Sequence, residues 1–130
     1  MRNRRPLHPL EHHPSFRAVI AAAPPLAELA SKLTDRRHKT RPAPGEVTIR
    51  GDHLVGTLAV ACSDLADGFA APPESARRRQ SHHRAWTAVR EIDRAIVIAS
   101  RRRLAPVQVV QRAQRAIDRA DVLIGALLPS

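Results

Sequence analysis

Arginine offers this chain its clearest chemistry. Three basic runs stand out: Arg36, Arg37, Lys39 and Arg41; Arg77, Arg78 and Arg79; and Arg101, Arg102 and Arg103. A planar guanidinium can give two parallel hydrogen bonds to a phosphate, so such runs suit recognition of a polyanion. The whole chain agrees, with 22 Lys+Arg against 12 Asp+Glu and a net charge of +10. That excess points to nucleic acid or an anionic membrane surface without choosing between them. An arginine-rich composition can equally reflect a GC-rich genome.

Other chemistries find less support. Of the seven histidines, His12-His13 and His82-His83 are adjacent pairs. Neighbours on a helix point about 100° apart, whereas a chelating pair is spaced by three or four, so no metal site is expected. No Ser, Cys or His lies in a nucleophile motif, and there is no glycine-rich phosphate loop. Glu91 and Asp93, two apart on a helix, face different directions and cannot act as an acid/base pair. The expectation is a non-enzyme without cofactor. The single Cys62 excludes an intramolecular disulfide and fits a reducing compartment. No apolar run approaches the ~20 residues of a membrane span, so a soluble, cytoplasmic protein is expected.

Helices must position these residues. Ala85, Val89, Ile92, Ile96 and Ala99 recur at steps of four and three, one stripe along a helix spanning 75–103. Leu54, Leu58, Ala61 and Leu65 give a second stripe over 49–69, closed by Gly68 and the A-A-P-P that follows. Val110, Ala113, Ile117, Ala120, Ile124 and Leu127 give another over 106–127, with Arg112, Arg115, Asp118 and Arg119 covering its other side. Before these, Pro24-Pro25 is expected to break or kink any helix begun at Phe16. Pro25 then starts a helix carrying Leu26, Leu29, Ala30 and Leu33, which ends near Arg37. Residues 1–15 show no periodicity and read as a flexible basic arm, leaving 16–128 for one domain.

Four helices with short connections predict an all-α, antiparallel up-down-up-down bundle. Val97, Ile98, Val109, Val122 and Leu123 fall off the central stripes and are expected, with Trp86, at a subunit interface. The bland alternative for the aliphatic residues is a wide core stripe inside a monomer. Trp86 could instead stack on a base.

Three segments resemble one family. Residues 63–70, S-D-L-A-D-G-F-A, resemble the S-N-I-A-E-G-F motif that closes the second helix in four-helix-bundle proteins encoded within intervening sequences of bacterial large-subunit ribosomal RNA. Residues 85–96 resemble that family's A-R-G-S-L-A-E-L-E-x-x-L at Ala85, Val89, Glu91, Ile92, Asp93 and Ile96, and the last helix is similar to its closing E-V-G-R-M-L-x-G-L-I with Gly125 in register. Asp64 stands where the family has Asn, and Thr87-Ala88 where it has Gly-Ser. The same fold includes the accessory variability determinant of diversity-generating retroelements, a basic ring-shaped pentamer that binds nucleic acid and a reverse transcriptase. The resemblance therefore implies a ring-shaped homo-oligomer, a homopentamer, that binds RNA or DNA and docks a reverse transcriptase.

In an up-down-up-down bundle the first and third connections share one end. Arg36, Arg37, Lys39 and Arg41 would meet Arg101, Arg102 and Arg103 there, forming a basic face for phosphates. Alternatively, Arg101 to Arg103 merely complement the negative end of the third helix, worth about 0.3–1 kcal/mol each. Arg77, Arg78 and Arg79 sit in a first turn, where the helix dipole disfavours cations. Either they bind a partner at the opposite end with Arg2, Arg4 and Arg5, or Asp64, Asp67 and Glu74 neutralise them. The rival to a nucleic-acid adaptor is an oligomeric structural or protein-interaction module whose charge is incidental. Attachment to an anionic membrane through the arm is a third reading.

Overall fold

The computed structural model describes residues 9–39 and 50–129, and for 35–39 the backbone alone. A 3₁₀ turn at Pro9–His12 leads into α1 (Pro14–Lys39), α2 (Gly51–Ala70), α3 (Ala76–Arg101) and α4 (Val107–Gly125), with no strand among the described residues. α1 packs on α2 and α4, and α3 packs on the same two helices, the square arrangement of a four-helix bundle. Paired side chains fix the directions. His53 meets Glu91 while Asp64 meets Arg84, so α2 and α3 run antiparallel. Asp93 meets Gln114 while Arg90 meets Asp121, so α3 and α4 do too.

The core is aliphatic and close-packed. Ala85, Val89, Ile92, Ile96 and Ala99 of α3 are completely buried, as are Ala61 and Leu65 of α2 and Ala113, Ile117, Ala120 and Ile124 of α4. The stripes read from the sequence therefore face inward, except at Leu127, which lies beyond the end of α4 and is 36% exposed. Ser75 caps α3 by accepting a hydrogen bond from the Arg78 amide, as a serine before a first turn does.

α1 departs from the sequence-based expectation. It is one helix that runs through Pro24 and Pro25 rather than two pieces divided there. Each proline removes the bond to the carbonyl four residues back, here Ile20 and Ala21. Both of those residues are exposed, Ile20 by 51%, so water can satisfy the carbonyls left open. On the opposite side the stripe Ala18, Val19, Ala22, Leu26, Leu29 and Leu33 continues unbroken across the prolines and is buried. Tertiary burial holds the helix where local preference alone would end it.

The other N-terminal correction concerns 9–15, expected to lie in a flexible arm. These residues join the bundle: Ser15 is 2% exposed, and the His13 ring stacks on Phe69 with centroids 3.7 Å apart. Residues 1–8, with Arg2, Arg4 and Arg5, lie outside the described residues.

Candidate nucleic-acid interface

Arg101, Arg102 and Arg103 occupy the turn that ends α3, and all three are exposed. The turn closes in a defined way. The Leu104 amide donates to Ala99 O at 2.9 Å and the Arg103 amide to Ser100 O at 3.2 Å, while Arg103 adopts φ 53°. This is a helix ending that glycine usually fills, because a left-handed residue carrying a Cβ costs about 1 kcal/mol. Leu104 folds back against the core and holds the turn in place. The bundle thus accepts local backbone strain where it presents a third consecutive guanidinium.

The end of α1 and the start of α2 flank the same end. The start of α2 lies beside Ala30 of α1, and Arg112, early in α4, bonds Glu28 of α1 at 2.8 Å. The last turns of α1, with the backbones of Arg36, Arg37 and Lys39, therefore run toward the end of the bundle that carries Arg101 to Arg103. The side chains of those three residues, and Arg41 altogether, lie outside the described residues.

At the opposite end Arg77, Arg78 and Arg79 divide. Arg77 is exposed. The Arg78 guanidinium sits over the Phe69 ring, 5.5 Å from its centroid, and Arg79 donates to the backbone carbonyl of Glu74 at 2.6 Å. Asp64, expected to help neutralise this run, instead faces Arg84 at 3.6 Å. Two of the three arginines thus do local structural work.

The same end holds His82, only 3% exposed and edge-on to Phe69 at 4.7 Å, with Nε2 buried and without a hydrogen-bond partner. Burial, then the charges of Arg78 and His13, lower its pKa below the ordinary 6.5. The unfolded chain takes up a proton near that pH which the folded ring refuses. His82 therefore leaves stability intact above about pH 6.5 and erodes it as the pH falls below. Thermal unfolding across that range should show the decline in the wild type and a flatter profile in His82→Phe; parallel profiles would remove His82 as the cause.

Between α2 and α3 lies a cleft lined by Leu54, Ile92 and Ile98 as well as by His53, Thr57 and Glu91. His53 Nε2 is 2.9 Å from Glu91 and 3.5 Å from the Thr57 hydroxyl, and that hydroxyl donates to the His53 carbonyl at 2.8 Å. A relay needs base and carboxylate on opposite ring nitrogens, whereas here one nitrogen meets both groups, so the trio is a hydrogen-bonded network. Asp52 at the rim is held below the usual carboxylate range by its hydrogen bond from Arg50. Burial pushes the Cys62 thiol up, away from the reactive thiolate. No group of three or more metal-ligating side chains is found among the described residues.

The residues expected at a subunit seam do not form one class. Val109 is 5% exposed and belongs to the bundle's own core, which removes it from any outer surface. Trp86, Val97, Ile98 and Leu123 are half-buried, and Val122 is 70% exposed. Trp86 lies under the Arg90 guanidinium at 4.9 Å, a cation–π contact on the flank of α3. Among the described residues no helix is long and apolar enough to cross a membrane. Comparisons with family profiles, curated proteins and solved structures find no match to the chain.

Proposed function

We propose that this protein is a non-catalytic nucleic-acid-binding adaptor that works as a ring-shaped homo-oligomer, a pentamer, and serves a reverse transcriptase of the diversity-generating-retroelement kind. The observation that carries the binding reading is the exposed triplet Arg101, Arg102 and Arg103 on a strained turn at the end of α3, toward which the last turns of α1 run. A net charge of +10 adds long-range attraction for RNA or DNA. The helical bundle and the motif resemblance at 63–70 and 85–96 support the ring and the enzyme partner. Contacts of this kind position a strand by its phosphates, and sequence choice falls to the partner.

Fluorescence anisotropy of labelled RNA and DNA tests the reading. Binding at ~50 mM salt should fall steeply toward ~200 mM, since each neutralised phosphate releases a counterion. A variant carrying Arg101→Glu, Arg102→Glu and Arg103→Glu should bind roughly 100-fold more weakly at the lower salt. Feeble binding by the wild type, or binding indifferent to the three changes, would favour the rival: an oligomeric protein-interaction module using exposed aliphatics such as Val122.

A further inference from the structure

A second basic feature lies on the side of the bundle. α1 and α4 border a shallow groove whose floor is small and apolar, with Ala18, Ala21, Pro24 and Ala116. Along its α4 wall stand Arg112, Arg115 and Arg119. Steps of three and four keep them on one face, spaced axially by about 4.5 Å and about 6 Å. Arg112 is paired with Glu28 of the facing wall at 2.8 Å. Arg115 and Arg119 are exposed; Glu28 stands on the facing wall, bonded to Arg112, and Asp118 of α4 accepts a hydrogen bond from Gln114 at 2.8 Å.

We propose that the α1–α4 groove is a track for one strand of nucleic acid, gripped through its phosphodiester backbone by Arg115 and Arg119 and, once released from Glu28, by Arg112. This rests on the nucleic-acid reading above and adds a site to it. The axial spacing of the guanidiniums is comparable with that of successive phosphates along a single strand. Neighbouring packed helices lie about 8–10 Å apart, so the trough between them admits one backbone and is too narrow for a duplex. Among the described residues no aromatic side chain lines it, so bases find no stacking platform and face outward, leaving a grip indifferent to sequence. An uncharged protein surface fits poorly, because covering Arg115 and Arg119 would desolvate two exposed cations and offer them no new anionic partner. The track begins near the Arg101 to Arg103 end, since Arg112 lies five residues into a helix that starts at Val107. A strand leaving the end face can therefore continue down the side.

The test uses labelled 20-nucleotide oligouridylate and oligothymidylate with the full chain. Arg115→Gln with Arg119→Gln should weaken binding roughly tenfold at ~100 mM salt and reduce the salt slope by about 1.4, two phosphates at about 0.7 each. A control of equal charge on α3, Arg84→Gln with Arg94→Gln, should leave the slope nearly unchanged. Glu28→Gln should tighten binding several-fold by releasing Arg112. If the groove and control variants lose affinity equally, binding is a diffuse field and the track is overturned. If only the triplet at 101–103 matters, the track fails while the adaptor reading stands. If the wild type binds neither oligonucleotide, both fail. Should light scattering show the groove variant changing subunit number with binding intact, the groove is a protein seam and the track is again overturned.

Discussion

Gly51→Ala should destabilise the bundle by about 3 kcal/mol, at the upper end of the range for overpacking. A Cβ at residue 51 would lie 2.8 Å from Ala30 Cα and 2.9 Å from Ala30 C, and closer still to the carbonyl oxygen. All three are backbone atoms of α1, so no rotamer change can make room. α2 must lift from α1, which would loosen the neighbouring contacts of Leu54 and Leu58. The usual gain of nearly 1 kcal/mol from replacing glycine by alanine in a helix is too small to compensate. Gly56 is the counterpart, exposed on the same helix with nothing within 4 Å of its added Cβ, so Gly56→Ala should stabilise by about 0.5–1 kcal/mol. Urea unfolding of the two variants should move the midpoint in opposite directions. Equal shifts would mean that helix propensity, not the approach of α2 to α1, governs both positions.

Replacing Pro24 and Pro25 together by alanine should raise stability by about 3 kcal/mol. A proline inside a helix is about 3 kcal/mol worse than alanine, and there are two. The full sum is not expected. Proline also restricts the unfolded chain, which favours the native protein by up to about 1 kcal/mol per site. Ile20 and Ala21 lie on the exposed side of α1, where water can serve their carbonyls, so restoring the intrahelical bonds would replace one partner with another. The midpoint of thermal unfolding should rise by about 10 °C for a chain of this size. A fall instead would show that ring packing by half-buried Pro25 outweighs the two bonds.

The prolines also mark where local reading stops. α2, α3 and α4 were legible because each carries its own stripe at helical spacing, and each stripe faces the core. α1 carries an equally regular stripe, yet its prolines read as a break, because the burial that overrides them comes from α2 and α4. The stacking of His13 on Phe69 was invisible for the same reason: the partners lie far apart in the chain and share no spacing. Val109 shows a related failure. It sits next to Val110, and a stripe drawn at strict threes and fours assigns only one of them to the core, although a helix packed on two neighbours buries a wider arc.

For the basic residues, the triplet at 101–103 was conspicuous as a run. The Arg112, Arg115 and Arg119 row was legible as one side of a helix. Its groove was not, because the opposing wall comes from α1, and nothing in the spacing of either helix states that they are neighbours.

That pairing also bears on folding. α1·α2, α2·α3 and α3·α4 each join helices consecutive in the chain, and short closures of this kind form quickly. α1 against α4 joins the first helix to the last, so this seam encloses the longest stretch of chain and carries the largest closure entropy of the four. The groove exists only where both of its walls are docked. Any ligand held between its two walls would bind the finished protein alone, draw unfolded molecules toward that state by mass action, and serve as a reporter that the bundle has closed.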